Sequence, residues 1–442
     1  MTAVQSAKRV FDVGIDESLP PAQLVTLGLQ NIFGMAGMFV FPGLFGRAFN
    51  LPIDQIAYLY GMTFIVSGVT TALQGAFLLR LPIMQGPYAG SFAALIALGH
   101  IPGAGLAAAY GSLFVAALIW CLASLPIRGL SLVALFARFL KAPLISGMIV
   151  ILTMIQIASV ALPNWIGTPA TPGFPLVNLA AGFVALAVFV VATIWGGRLR
   201  RAAVLIALIA GTLFFAFYRP VSLAGVVNAP ILVTPVIFPF GFQVRADFVL
   251  VFLLTLAPAS MASMALYQIV ADWGGQDLPP VRSSEGVFAM GIGAVLAGLV
   301  GGFSTIIYPD NVGLLRSTRV GSRYATLAAG ALLIGLGGSV KFDMLLVIVP
   351  LPVLSAIATV LFGIIMMHGI QMLSVVDWDD RKLIAAGLAA LVGLGGLLLA
   401  PETLEAMPLI ARIVLSQPII SGGIVLVVTY ALLCRETAAN QE

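Results

Sequence analysis

Apolar runs of about 20 residues, the length of helix that crosses a ~30 Å hydrocarbon layer, follow one another from end to end of this 442-residue chain. That repetition leaves few folds open. Only 9% of the residues are charged and 61% are hydrophobic, against roughly 25% charged in a soluble domain. The chain therefore reads as an all-α polytopic membrane protein, with no polar stretch long enough for a separate soluble domain. The formal charge of +4 marks cytoplasmic loops rather than a nucleic-acid surface. Cys121 and Cys434 lie in or beside apolar runs without metal spacing, so neither a disulfide framework nor a metal site is expected. The polar first 20 or so residues contain no apolar core of a cleavable signal.

About fourteen spans are expected. An even number places both termini on one side. A cytoplasmic N-terminus leaves only Arg47, Arg219, Arg245, Lys341 and Arg412 of the 21 Lys and Arg on the far side, which satisfies the positive-inside bias. The expected location is a bacterial inner (cell) membrane, with both termini cytoplasmic.

Two spans are broken. In the third, Leu81-Pro82-Ile83-Met84-Gln85-Gly86-Pro87-Tyr88-Ala89-Gly90 carries prolines and glycines that interrupt a helix, and a half-helix is expected from an N-cap at Ser91 to about Leu98. In the tenth, Phe303-Ser304-Thr305-Ile306-Ile307 favours extended backbone, and Tyr308-Pro309-Asp310-Asn311 then leads into a short helix ending near Arg319. The breaks fall third in each half of seven, which predicts a 7+7 inverted repeat with the binding site where the breaks meet. Residues 1–128 and 247–343 are expected to form one domain and residues 129–246 and 344–442 a second.

An ionisable residue at membrane depth is costly unless protein or a water-filled cavity surrounds it. Asp310 is thus the leading candidate for solute contact and for carrying a coupling proton. It also fits an N-cap, and the two roles are compatible. Asn311, Ser91 and Phe92 are candidates at the breaks, with helix starting and ordinary packing as the alternatives. Gln30 and Asn31 in the first span, expected over about Ala22–Phe45, could bind solute or bridge helices. So could Ser263 and Gln268 in the eighth span. Asp272 reads as a solvated interface residue. No Ser–His–Asp constellation, phosphate loop or zinc-protease motif is visible, so no enzyme activity and no cofactor is expected.

At these residues the chain resembles the nucleobase–ascorbate transporter family, bacterial uracil and xanthine permeases in particular. Asp310-Asn311-Val312-Gly313 with Thr318-Arg319 matches the family signature. Gln30-Asn31, Gly90-Ser91-Phe92-Ala93 and Val349-Pro350-Leu351-Pro352-Val353 match its first-, third- and twelfth-span motifs, in order. The resemblance implies a fourteen-helix inverted repeat, a core domain and a gate domain, and a nucleobase such as uracil or xanthine held between them with proton symport. Asp310 takes the place of the signature's acidic or amide residue, and Phe92 that of a binding residue. Three positions depart from the family. Ala262 to Met264 contains no carboxylate where the family binds substrate with a glutamate, Asn31 replaces a histidine, and Pro309 replaces a glycine and removes a backbone donor. The expected partners are a small heterocyclic solute, a proton and the lipid bilayer, with a homodimer left open. The alternatives are transport of another small organic or inorganic anion on the same fold, and a channel.

Overall fold

The structure, a computed structural model, describes residues 10–33, 35, 37–125, 131, 143–167, 176–196, 199–200, 202–220, 222–415 and 418–434. The first apolar run is two helices, α1 (Pro21–Phe33) and α2 (Gly37–Ala48), bent by 43°. A single first span was expected. A glycine, Gly37, opens α2 at the break, and small residues there weaken helix continuity; the bent pair still counts as one span. Then follow α3 (Ile53–Ala76), β1 (Gln85–Pro87), α4 (Ala89–Gly99) and α5 (Gly105–Ser124). The next helices are α6 (Pro143–Ala161), α7 (Leu176–Trp195) and α8 (Ala203–Tyr218). The apolar stretch expected along the interface between Arg128 and Lys141 lies outside the described residues, Ser131 apart.

The second half has α9 (Ala246–Trp273), α10 (Pro280–Val300), β2 (Thr305–Ile307), α11 (Pro309–Thr318) and α12 (Arg323–Gly337). It ends with α13 (Val340–Val347), α14 (Leu351–Leu373), α15 (Asp380–Leu398) and α16 (Pro418–Leu433). The chain is mostly helical, and among the described residues seven helices are long and apolar enough to span a membrane: α3, α5, α7, α9, α10, α14 and α15. The bent pair α1–α2 makes an eighth.

Helices pack mainly within two sets. In one, α3 lies on α12, α5 on α10 and α9, and α1 on α12; in the other, α6 lies on α14, α7 on α8, and α15 on α16. Small residues let the first set close up. A Cβ on Gly68 would stand 2.6 Å from the carbonyl oxygen of Gly330, across the α3–α12 seam. The sets meet where α2 touches α14 and α4 touches α6. The long apolar connection before α9 lies across helix ends: the N–H groups of Val233, Phe238 and Gln243 donate to the carbonyls of Gly338, Leu299 and Ala107.

Candidate functional site

The two broken spans meet in the interior. β1 pairs antiparallel with β2, with Gln85 opposite Ile307, Gly86 opposite Ile306 and Pro87 opposite Thr305. The Tyr88 N–H donates to the Ser304 carbonyl at 2.7 Å and the Tyr308 N–H to the Met84 carbonyl at 3.1 Å. Exchanging Tyr88 with Tyr308 and Met84 with Ser304 maps the ladder onto itself, so this crossing is locally two-fold. The tyrosines are also the N-caps of α4 and α11, at φ −87°, ψ 119° and φ −86°, ψ 118°. Two helices therefore start from opposite ends of one short ladder, their caps about 13 Å apart along it at ~3.3 Å per strand residue. Each start carries the positive end of a helix dipole, although at α11 Pro309 has no N–H and the Asn311 N–H already donates to the Tyr308 carbonyl.

The residues three places beyond the caps clip the crossing. The Asn311 side chain accepts from the Met84 N–H at 3.1 Å and donates to Asn31 Oδ1 at 2.6 Å. Asn31 in turn donates to the Leu27 carbonyl at 2.8 Å. In the related position Ser91 accepts from the Ser304 hydroxyl and donates to the Tyr88 carbonyl at 3.0 Å. Asn31, Asn311, Ser91 and Ser304 are all buried, so each clip satisfies groups that would be costly to leave bare.

A polar network lies beside β1. Gln74 of α3 donates to the Tyr267 hydroxyl at 2.6 Å and the Gly286 carbonyl at 2.8 Å, and accepts from the Gln85 side chain at 2.8 Å. The Gln85 N–H donates to Thr71 at 2.9 Å. Gln85 Oε1 is buried with no partner among the described residues. Ser263 Oγ is buried near the Tyr267 hydroxyl and has no hydrogen bond of ordinary geometry among the described residues. Beyond Ser91, Phe92 stacks on Phe41 of α2 with ring centroids 4.7 Å apart, and Phe41 meets Phe362 of α14 at 5.8 Å. The rings thus bridge the two helix sets.

The structure brings Asn31, Asn311, Ser91 and Phe92 to this crossing and Ser263 to its polar flank. Gln268 is not brought there: it is exposed and donates to Asp272 at 2.8 Å. The inward residue of that turn is Tyr267, one place earlier, which sequence reasoning passed over. Asp310 is the second residue of α11, in its first turn. The cap is Tyr308, so the expected N-cap role of Asp310 is corrected; its side chain lies outside the described residues. Ser91 likewise is no N-cap, because α4 begins at Ala89. Pro309 opens α11, where a missing N–H costs the helix nothing. Gln74, Gln85, Tyr267 and Phe41 were also missed. The signal for Gln74 and Gln85 was present, since an amide inside an apolar run must find a partner.

Helices that cross a membrane, joined at a buried crossing of two broken ones, define a multi-pass membrane protein of the transporter type. The profile of the Permease family (Xan_ur_permease) matches residues 22–401, and the chain belongs to that family, whose members are permeases and not enzymes. The uric acid permease PucK of Bacillus subtilis is 28% identical over 422 residues, covering 92% of this chain and 95% of that one. The xanthine permease of the same organism is 26% identical over 432 residues, covering 95% and 96%. The uracil permease of Bacillus caldolyticus is 28% identical over 393 residues, covering 85% and 86%. Two solved structures share the fold. The transmembrane domain of the cyanobacterial bicarbonate transporter BicA has TM-score 0.56 at 15% identity, covering 95% of this chain and 99% of that one. SLC26A9 has TM-score 0.58 at 13% identity, covering 94% and 66%.

Proposed function

We propose that the protein is a secondary active transporter that imports a nucleobase by proton symport, with a purine such as xanthine or uric acid ahead of uracil. The observation that carries this reading is the β1–β2 crossing, which sets two helix starts in the interior of a chain that matches the Permease family along most of its length. Free N–H groups at helix starts suit ring carbonyl oxygens and anionic nitrogens. An acidic residue in the first turn of α11 suits ring N–H donors when ionised and can take a proton when neutral. The region Ala262–Met264 supplies no carboxylate, so the site holds fewer acceptors and favours a solute that brings negative charge. The uric acid permeases among the relatives fit that preference, since urate is an anion near neutral pH.

In this reading the first helix set is a core domain (1–128 and 247–343) and the second a gate domain (129–246 and 344–442). They are related as a 7+7 inverted repeat of fourteen spans with cytoplasmic termini. The local two-fold of the crossing and the matched packing of α3 on α12 and α10 on α5 support the repeat. Rocking of one domain on the other about the Phe92–Phe41–Phe362 contact gives alternating access. The test is uptake of radiolabelled xanthine, uric acid and uracil by cells expressing the protein or Asp310→Ala. Uptake should collapse in the variant while its amount in the membrane is unchanged; normal uptake would remove Asp310 from the site.

A further inference from the structure

One buried carboxylate lies outside this site. Asp343 stands on α13, between the apolar helices α12 and α14, and is 0% exposed. Neither carboxylate oxygen has a hydrogen-bond partner among the described residues. Its Oδ2 packs into the seam where α3 meets the end of α12. A Cβ on Gly61 would stand 2.7 Å from both Asp343 Oδ2 and the Gly337 carbonyl oxygen, and one on Gly337 would stand 2.5 Å from the Gly61 carbonyl oxygen. Two glycines thus make room for a cluster of oxygens with no donor among them.

The cations and titratable groups nearby are committed elsewhere. Arg47 of α2 donates to the carbonyls of Val347 at 3.2 Å and Val349 at 3.4 Å, where α13 ends. Tyr60 of α3 donates to the Phe39 carbonyl at 3.0 Å. Elsewhere on α3, Asp54 is exposed and Tyr58 bonds the carbonyls of Val236 and Val300. On α12 the titratable groups are Arg323, paired with Asp16 at 2.7 Å, and Tyr324, both at the opposite end. Lys341 on α13 is exposed. The segments 231–233 and 224–228, which also lie against this region, carry none.

A buried carboxylate with neither cation nor donor takes up a proton rather than stay charged. We infer that Asp343 is a proton-binding site, separate from the crossing of the broken spans, whose proton holds the α3–α13 seam closed. A neutral carboxyl needs only an acceptor, and the Gly337 carbonyl oxygen crowds the same side of Gly61 as Asp343 Oδ2. Among the described residues no group of metal-ligating side chains gathers at Asp343, so a proton fits the seam better than a metal cation. Burial pushes the Asp343 carboxyl up to about 9. Its folded-state value therefore lies above the usual 3.8, and the stability of the closed seam is full in acid and is lost as pH rises towards about 9. The inference does not depend on which solute is carried.

The test uses the full chain purified in detergent. Infrared difference spectra of wild type against Asp343→Asn at neutral pH should show a protonated carboxyl band in the wild type only, and that band should convert to carboxylate as the pH passes about 9. The melting temperature of the wild type should fall behind that of the variant as the pH rises from the ordinary 3.8 to about 9, and the gap should level off above that. A carboxylate band assigned to Asp343 at neutral pH would overturn the inference. Should Asp343→Asn not fold, wild-type protein treated with a hydrophobic carbodiimide, which reacts with protonated buried carboxyls, gives a second reading by peptide mass mapping. Label at Asp343 that fades with rising pH supports the site, and absence of label at neutral pH contradicts it.

Discussion

Asn311 donates to Asn31 at 2.6 Å across 280 residues of sequence, and the same side chain accepts from the Met84 N–H. One amide therefore ties the start of the second half-helix both to α1 and to the residue before β1. Asn311→Ala leaves the buried Met84 N–H without its acceptor, at a cost of about 1–3 kcal/mol. Asn31→Ala removes one partner and should cost less, because Asn311 keeps Met84. A double-mutant cycle read by thermal unfolding in detergent should give a coupling of at least ~0.5 kcal/mol.

The Gln74 network has a similar asymmetry. Tyr267→Phe leaves Gln74 bonded to the Gly286 carbonyl, so the loss should stay below about 1 kcal/mol. Gln74→Leu strips partners from both Tyr267 and the Gln85 side chain, and should lower stability by about 1–3 kcal/mol. Melting curves of the two variants should rank in that order.

Gly86 faces the ring that caps the other half-helix. A Cβ there would stand 2.4 Å from the Tyr308 ring and 2.6 Å from Met35. Gly86→Ala must displace Tyr308 and with it the start of α11. Uptake should fall by roughly tenfold or more, the scale of a misplaced binding group, with the protein still present in the membrane; Gly313→Ala, with open space around it, makes a comparison in α11 itself.

At the polar edge, Asp379 caps α15 by accepting from the Lys382 N–H at 2.8 Å, with the Lys382 ammonium 3.3 Å away. The backbone hydrogen bond, reinforced by the ammonium, holds the Asp379 carboxyl below its usual 3.8. The depressed value means that the cap stabilises above the ordinary carboxylate range and is lost as pH falls through it. Asp379→Ala should lower the melting temperature slightly at neutral pH, and the gap should close in acid.

Much of this arrangement was legible from residue types. Proline and glycine around Gln85, and β-branched residues at Thr305–Ile307, announced two extended pieces inside apolar spans, and β1 and β2 lie there. The half-helix starts were misplaced because serine and aspartate are favoured caps, whereas both caps are tyrosines without any side-chain capping bond. Here the ladder supplies the order that a capping side chain normally gives. The pairing of Asn31 with Asn311 depends on topology, which no local pattern encodes. Gln268 and Tyr267 differ by 100° around one helix, and hydropathy alone could not choose between them. Asp343 lies two residues from Lys341 between two apolar runs, where no local pattern marks it as buried, yet the seam formed by Gly61 and Gly337 buries it.

The central claim is that this permease carries a nucleobase through the crossing of its broken spans. Uptake of radiolabelled xanthine, uric acid and uracil, measured in cells that lack their own nucleobase permeases, tests it most directly. The account predicts saturable uptake of at least one of the three, dependent on the proton gradient and competed by the unlabelled base. Transport of sulfate or bicarbonate with no nucleobase uptake would contradict it.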